Sequence, residues 1–189
     1  IICPTRNESK NINLLLDKIY ETIKIKFEII FIDDDSNDGT VELIKSIAKK
    51  NNAVKIISRV NQRNLSSAVA TGISSALFDY SIVIDADLQH DVSNINLMYT
   101  KAIKNNLDLV ISSRFLEKDK EKGYSKRREQ ISNLGNKLIN RLLSKPLTDP
   151  LSGCFLIKTE FFKNIKNKLI LKGYKILFDI LTSCNFTKI

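Results

Sequence analysis

The stretch at residues 81–91 reads SIVIDADLQHD and ends a short apolar run on two closely spaced carboxylates. Ser81 to Ile84 is typical of a buried strand, and Asp85 and Asp87 follow it with one residue between them. Two like charges this close repel each other, and burying either one without a partner costs several kcal/mol. The stretch therefore predicts either a hydrated turn or a site where positive charge meets the end of a strand.

Short apolar strands and amphipathic helices alternate on both sides of this stretch. The patterns predict strands at residues 1–3, 28–32, 54–58, 81–84 and 107–112, and helices at 11–25, 40–50, 66–77 and 94–104. Strands that are apolar on both faces and separated by helices indicate an α/β fold, in which a mostly parallel central sheet is flanked by helices. Ligands bind such sheets beyond the carboxyl ends of the strands. The polar segments PTRNE (4–8), DDDSNDGT (33–40) and DADLQHD (85–91) are expected there.

The second half of the chain has a different pattern. It predicts a charged loop at 117–125, a basic helix at 126–144, a turn into a strand in TDPLSGCFLI (148–157) and a final helix in GYKILFDILTSC (173–184). The chain begins without Met inside a strand and ends without a closing signal. We therefore expect a single domain over residues 1–189 that is truncated at both ends.

Composition narrows the class of partner. The net charge is +9, and residues 114–145 hold ten Lys or Arg against four Asp or Glu. This excess predicts an anionic partner such as a nucleotide, a phospholipid surface or nucleic acid. The three cysteines have neither metal-site nor disulfide-framework spacing, which favours a reducing compartment. No run of 18 apolar residues is present, so the sequence predicts no transmembrane helix in this segment.

The first two polar segments each have a structural and a functional interpretation. In DDDSNDGT, Asp38 or Thr40 could cap the next helix, but this does not account for the three successive aspartates. In PTRNE, Asn7 could cap a helix and Glu8 would suit its dipole. Because both segments follow strands of one predicted sheet, we expect them to line one crevice.

The segment DADLQ has the oxygen ligands that Mg²⁺ or Mn²⁺ prefers. Asp85, Asp87 and the Gln89 carbonyl would leave coordination positions open for phosphate oxygens and water. The alternative Asp-x-Asp chemistry, a phosphatase nucleophile, usually follows the first strand, whereas this motif follows the fourth. His90 is the only histidine, and we interpret it as a structural or surface residue rather than a catalyst.

Eight segments in order resemble glycosyltransferase family 2, and within it the dolichol-phosphate mannosyltransferase branch. They are PTRNE, DDDSNDGT, RNLSSAVATGI, DADLQH, SSRF, KRREQIS, DPLSGCF and GYKILFDIL. The resemblance implies a GT-A fold, with a nucleotide-binding half at about 1–113 and an acceptor half at about 114–189. Asn64 stands where family members commonly have Gly, and Asp179 replaces a frequent Glu.

The resemblance also implies roles for individual residues. It assigns the nucleotide to Pro4, Arg6, Glu8, Asp33, Asp35 and Asp85; the metal, Mg²⁺ or Mn²⁺, to Asp85, Asp87 and Gln89; and the acceptor phosphate to Arg114, Arg128 and Ser132. The residues expected to act in catalysis are Asp87, Arg114, Arg128 and Asp149, with Ser152 and Gly153 bordering the sugar pocket. Arginine suits this task, because its bidentate contacts orient a phosphate among other anions.

The implied activity is that of an inverting, metal-dependent transferase. It would move a hexose, mannose first among the candidates, from a nucleotide sugar such as GDP-mannose to a polyprenyl or dolichyl phosphate. The alternatives are another donor such as UDP-glucose, or a glycan hydroxyl as acceptor. The implied location is cytoplasmic, at the cytoplasmic face of a membrane, with Lys118, Lys120, Lys122, Lys126 and Arg127 against anionic headgroups or simply in solvent.

Two other classes of protein fit the sequence less well than a glycosyltransferase. A nucleic-acid-binding module is disfavoured, because the basic segment interleaves only Phe115 and Tyr124 with its cations. A non-catalytic sugar-nucleotide binder is disfavoured by the intact Asp85, Asp87, Gln89 and Arg114.

Overall fold

The protein is described by a computed structural model that covers residues 1–113, 146–184, 186 and 188–189. Six strands form one sheet: β1 (Ile2–Thr5), β2 (Ile29–Asp33), β3 (Val54–Ser58), β4 (Tyr80–Val83), β5 (Leu109–Ile111) and β6 (Phe155–Lys158). The described helices are α1 (Ile12–Thr22), α2 (Thr40–Ala48), α3 (Leu65–Ser75), α4 (Asn94–Asn105), α5 (Thr159–Ile165) and α6 (Ile176–Ser183), and a 3₁₀ turn spans Lys166–Lys168.

The strand order in the sheet is β3-β2-β1-β4-β6-β5. Neighbours from β3 to β4 are parallel, whereas β6 runs antiparallel to both β4 and β5. The expected α/β fold with a mostly parallel, helix-flanked sheet is confirmed. The strand predicted within 148–157 is β6, and its position was not predicted: it lies between two strands of the first half and runs antiparallel to both.

Two apolar layers cover the two faces of the sheet. Alternate strand residues such as Cys3 and Phe31 face α1, α2 and α4, whereas Ile2 and Ile32 face α3, α5 and α6. Gly72 lets α3 approach closely, since a Cβ there would lie 2.5 Å from side-chain atoms of both Ile2 and Ile32. This explains the small-residue pattern of α3, because larger residues would push the helix off the sheet.

The helices agree with the predicted ones in type and differ mainly at their ends. The helix predicted over 11–25 ends at Thr22, and the short helix α5, TEFFKNI, was not predicted. The predicted loop at 117–125 and basic helix at 126–144 lie outside the described residues. In the described ranges, no helix combines the length and the apolar character that crossing a membrane requires.

Candidate active site

The carboxyl ends of β1, β2 and β4 lie side by side and bring the polar segments together. In the β1–β2 register, Pro4 pairs with Ile32 and Thr5 with Asp33. Ile2 pairs with Val83 across β1–β4, so continuing that register by two residues sets Pro4 beside Asp85. The predicted crevice at the carboxyl edge is therefore built from segments distant in the sequence.

Hydrogen bonds join the loop after β1 to the loop after β2. The N–H groups of Asn7, Glu8 and Ser9 donate to Ser36 Oγ (2.8 Å), Thr40 Oγ1 (2.9 Å) and Asp38 Oδ2 (3.1 Å), and Asn37 N–H donates to Asn7 Oδ1 (3.0 Å). The two loops consequently form one rigid wall of the crevice.

The capping interpretation is wrong for Asn7 and Thr40 and is confirmed for Asp38. Asn11, not Asn7, precedes α1, and the Glu8 carbonyl accepts the N–H groups of Asn11 and Ile12. The residue before α2 is Gly39, at φ 89°, and Thr40 is its first helical residue. Asp38 does serve the start of α2, because its Oδ1 accepts the Thr40 N–H at 3.1 Å.

The three successive aspartates have three different environments. Asp34 is buried and makes two bonds to Arg59, from Nε to Oδ1 (2.6 Å) and from Nη2 to Oδ2 (2.8 Å), and its Oδ2 also accepts the Asn64 N–H. Asp33 is buried and accepts the Ser36 N–H at 3.0 Å. Asp35 is partly exposed, has a left-handed backbone at φ 64° and meets Arg63 at 3.3 Å.

The other residues expected at the nucleotide also lie at this wall. Pro4 is buried, Arg6 is exposed and Glu8 is half-buried with Oε2 accepting from Asn11 Nδ2 at 2.7 Å. Arg6 and Asp35 thus present charge to solvent, whereas the carboxylates of Asp33 and Glu8 are engaged by neighbouring side chains.

The carboxylates after β4 remain open. The Asp85 side chain is 38% exposed and Asp87 is exposed, with Asp87 Oδ1 accepting the Gln89 N–H at 3.1 Å. Leu88, which lies between Asp87 and Gln89, has φ 63°, so the backbone turns sharply there. Within the described residues these two aspartates meet no Lys or Arg, and hard oxygen atoms are left free to bind a cation or a phosphate-bound metal.

His90, interpreted from the sequence as a structural or surface residue, makes a structural contact with Asp85. Its Nε2 lies 3.2 Å from Asp85 Oδ2, and its side chain is only 18% exposed. The histidine therefore engages one oxygen of Asp85, while the Asp85 side chain as a whole stays 38% exposed. Reading the sequence alone could not have found this pair, because the turn at Leu88 brings the two side chains together.

Gly153 closes the same corner from the antiparallel strand. The β4–β6 register pairs Val83 with Phe155, so Gly153 stands opposite Asp85. A Cβ on Gly153 would lie 2.9 Å from Asp85 Oδ2 and 3.4 Å from His90 Nε2. The glycine is thus the residue that leaves room for the Asp85–His90 pair.

Two further predicted residues of this segment are buried. Ser152 Oγ donates to the Ser112 carbonyl at 2.6 Å, and Ser112 N–H donates to the Cys154 carbonyl at 3.0 Å, which ties the ends of β5 and β6 together. Asp149 is 1% exposed, and its carbonyl accepts the Ser152 N–H. The segment is therefore a rigid floor beside the open carboxylates.

The carboxylates at this edge act on a buried thiol nearby. Burial raises the pKa of the Cys3 thiol well above its usual value, and the nearby charges of Asp85 and Glu8 raise it further. No three His, Cys, Asp or Glu side chains of the described ranges are arranged to hold a metal by themselves. The donor set of Asp85, Asp87 and Gln89 nevertheless has the oxygen chemistry that a hard divalent cation requires, with further ligands to be supplied by a bound substrate.

The expected acceptor residues Arg114, Arg128 and Ser132 lie outside the described residues, as do Lys118, Lys120, Lys122, Lys126 and Arg127. Their roles stay predictions.

Comparisons with known proteins identify the family. The family model "Glycosyl transferase family 2" matches residues 1–166. The chain is 34% identical to a dolichol-phosphate mannosyltransferase of Pyrococcus furiosus, over 100% of this chain and 53% of that protein. It is 31% identical to the dolichol-phosphate mannosyltransferase of Saccharomyces cerevisiae, over 96% of this chain and 68% of that protein. The chain belongs to glycosyltransferase family 2, and it spans about half the length of the first of these relatives.

Solved structures agree on the fold. Glucosyl-3-phosphoglycerate synthase from Mycobacterium tuberculosis, crystallised with Mn²⁺, UDP-glucose and phosphoglyceric acid, superposes with a TM-score of 0.68 at 18% identity. The match covers 96% of this chain and 65% of the synthase. The predicted GT-A fold is confirmed.

Proposed function

We propose that this chain is the catalytic domain of an inverting transferase that moves mannose from a nucleotide sugar, GDP-mannose first, to a dolichyl-type polyprenyl phosphate. The observation that carries the proposal is the identity of 34% and 31% to two dolichol-phosphate mannosyltransferases over nearly all of the chain. The open carboxylates beside a buried segment support it, because they can hold the divalent cation through which a sugar diphosphate would bind.

The donor would bind along the wall formed by the loops after β1 and β2. Arg6 and Asp35 are exposed or partly exposed there and can reach base, ribose or phosphate, while Pro4, Glu8 and Asp33 shape the wall behind them. A nucleoside diphosphate is strongly anionic, and the carboxylates after β4 would repel it unless a cation lay between them.

Asp85, Asp87 and Gln89 would hold that cation, Mg²⁺ or Mn²⁺, through oxygen atoms. When bound, such an ion neutralises the charge that develops on the departing diphosphate. The Asp85 oxygen that faces away from His90 is the one available for this contact.

The transfer itself needs no strong base. An acceptor phosphate oxygen, already negatively charged, forms a bond to the anomeric carbon from the face opposite the leaving group. The bond from that carbon to the diphosphate oxygen breaks, and the nucleoside diphosphate leaves with the electron pair. Arg114, Arg128 and Ser132 are proposed to hold the acceptor phosphate, and the buried Asp149 to position its neighbours rather than to remove a proton.

The proposed site of action is the cytoplasmic face of a membrane, because a polyprenyl phosphate is a membrane lipid. The basic segment at 114–145 would face anionic headgroups there.

A donor and acceptor panel tests the proposal. The protein is incubated with Mn²⁺ and either GDP-mannose or UDP-glucose, each with a polyprenyl phosphate or with a free oligosaccharide, and lipid-linked sugar is extracted and counted. We expect transfer from GDP-mannose to polyprenyl phosphate and little with the other three pairs. Transfer to the oligosaccharide alone, or no transfer from any donor, would sink the proposal.

A further inference from the structure

The loop between the 3₁₀ turn and α6 has a fixed conformation. The loop comprises residues 169–175 (LILKGYK). Its Gly173 carbonyl accepts hydrogen bonds from the Ser66 N–H (3.1 Å) and Oγ (2.9 Å). The Leu171 carbonyl accepts from Asn64 Nδ2 at 2.9 Å. Both donors belong to the start of α3, so the loop is fastened to that helix.

Asp179 holds the other side of the same loop. Its carboxylate accepts the N–H groups of Ile170 (3.2 Å) and Leu171 (2.7 Å). Leu171 has φ 54°, a left-handed conformation that such residues seldom adopt. The surrounding bonds therefore impose a particular shape on the loop.

That shape places two large apolar side chains in solvent. Leu169 and Leu171 pack against the core, whereas Ile170 is 72% exposed and Tyr174 is 75% exposed. Singly exposed apolar residues are ordinary, but a rigid loop that holds two of them outward loses hydrophobic stabilisation unless something covers them.

The charged residues of the segment itself are all lysines, although the Asp179 carboxylate of α6 bonds to its backbone. Residues 163–175 contain five lysines, at 163, 166, 168, 172 and 175, and no Asp or Glu. Lys172 and Lys175 are exposed and flank Tyr174. Exposed apolar side chains with exposed lysines next to them in the sequence are complementary to a bilayer surface with anionic headgroups.

The loop also lies on the same edge as the candidate site. Asn64, which binds Leu171, donates its N–H to Asp34 at 2.9 Å, and Asp34 stands between Asp33 and Asp35. A surface that the loop contacts would consequently adjoin the crevice.

We propose that residues 169–175 dock this domain on an anionic lipid bilayer, with Ile170 and Tyr174 inserted at the headgroup level and Lys172 and Lys175 on the phosphates. The inference rests on the proposed function to the extent that the acceptor is a membrane lipid. It adds a contact surface distinct from the basic segment at 114–145.

Tryptophan fluorescence reports the insertion directly, since the 189 residues contain no tryptophan. The Tyr174→Trp protein is mixed with vesicles of phosphatidylcholine with and without phosphatidylglycerol. Leu77→Trp is the matched control: Leu77 is 77% exposed and lies just past the other end of α3. We expect a blue shift for Tyr174→Trp with the anionic vesicles and an unchanged spectrum for Leu77→Trp.

Affinity gives a second readout. We expect the double variant Ile170→Ser, Tyr174→Ser to bind vesicles roughly tenfold or more weakly, because it has no large apolar side chains at these positions to transfer from water into the bilayer. Lys172→Gln should weaken it about fivefold, less so at high salt. Leu77→Ser should bind vesicles as the unaltered protein does. An unshifted Tyr174→Trp spectrum, or an equal shift for Leu77→Trp, would overturn the proposal.

Activity on a detergent-dispersed, short-chain polyprenyl phosphate separates the two hypotheses. The Ile170→Ser, Tyr174→Ser protein should keep full transfer to that acceptor, since neither residue belongs to the site. If transfer occurs but Tyr174→Trp is unshifted, the docking surface is wrong and the proposed function stands. If the shift occurs and no polyprenyl phosphate is glycosylated, the proposed function is wrong and the surface stands.

Discussion

The two aspartate clusters at the carboxyl edge look alike in sequence and differ in chemistry. After β2, Asp34 is enclosed by Arg59 and the Asn64 N–H, and Asp33 is buried against Ser36. After β4, Asp85 keeps a 38% exposed side chain and Asp87 is exposed. In the first cluster Asp33 and Asp34 hold loops, whereas the second cluster leaves both of its carboxylates at least partly exposed.

The difference follows from what the neighbouring strands supply. The end of β3 places Arg59 beside Asp34, and its backbone N–H also bonds to the Asp33 carbonyl. Gly153, which has no side chain, lies against Asp85, and continuing the β1–β4 register places Pro4, which has no N–H, on its other side. The residues on the neighbouring strands thus determine whether a carboxylate at a strand end fixes the adjacent loops or stays available to bind a ligand.

Removing Arg59 should have the largest effect on stability. Arg59→Ala leaves Asp34 charged and buried without its partner, and we expect a loss of about 3–5 kcal/mol in the free energy of unfolding. Urea denaturation measures it. Arg63→Ala is the matched control, because its ion pair with Asp35 is exposed and should contribute less than about 1 kcal/mol. Equal losses in the two variants would contradict the scaffold role of the first cluster.

Removing Asp87 should leave stability nearly unchanged and abolish most activity. We expect Asp87→Asn to lower transfer by roughly a hundredfold and to weaken Mn²⁺ binding in the presence of nucleoside diphosphate, measured by electron paramagnetic resonance. Asp91→Asn is the control in the same loop: Asp91 is exposed and caps the Ser93 N–H at 2.9 Å. A full rate with unchanged metal affinity in Asp87→Asn would remove the second cluster from the site.

Adding a methyl group at either of two glycines should distinguish crowding of the site from crowding of the core. Gly153→Ala forces Asp85 Oδ2 to move, and we expect transfer to fall roughly tenfold with a parallel loss of Mn²⁺ affinity. Gly72→Ala crowds Ile2 and Ile32 and should cost about 1–3 kcal/mol of stability with metal affinity intact. If both variants lose stability while transfer and Mn²⁺ affinity stay unchanged, a methyl group at Gly153 does not displace Asp85 as the structure indicates.

The smallest effect concerns pH and the wall of the crevice. Although partial burial opposes it, hydrogen bonds from Thr40 and Ser9 lower the pKa of the Asp38 carboxyl below its ordinary 3.8. A carboxylate whose pKa is lower in the folded than in the unfolded state stabilises the folded protein at a pH above the unfolded-state pKa. This stabilisation is lost as the pH falls below about 3.8. Asp38→Asn should therefore cost less than about 1 kcal/mol near neutral pH. Thermal melts should show the gap between the two proteins narrowing as the medium is acidified, and a constant gap would exclude an ionic contribution.

The sequence predicted the alternation of strands and helices and the edge at which the polar segments meet. Apolar strands such as β2 and the helical spacing of α1 carry a local signal, so their type could be read directly. The presence of Asp85 and Asp87 at that edge followed from the parallel-sheet rule.

The features that could not be predicted from the sequence depend on contacts between residues that are distant along the chain. The position of β6 between β4 and β5 has no local signal, and neither does the fact that Arg59 neutralises Asp34. The partner of His90 could not be predicted because a lone histidine has no periodic pattern, and the turn at Leu88 and the space at Gly153 put it against Asp85.

The position of β6 also constrains how the sheet can assemble. Within the described sheet β5 pairs with β6 alone, so residues 109–111 have no neighbouring strand until residues 155–158 have been made and inserted. Non-local pairing of this kind is slow, and a chain emerging from the ribosome would expose the edge of β4 in the meantime. The boundary expected near residue 113 is therefore not a folding boundary, and the aspartates after β4 acquire their final surroundings only when the last strand arrives.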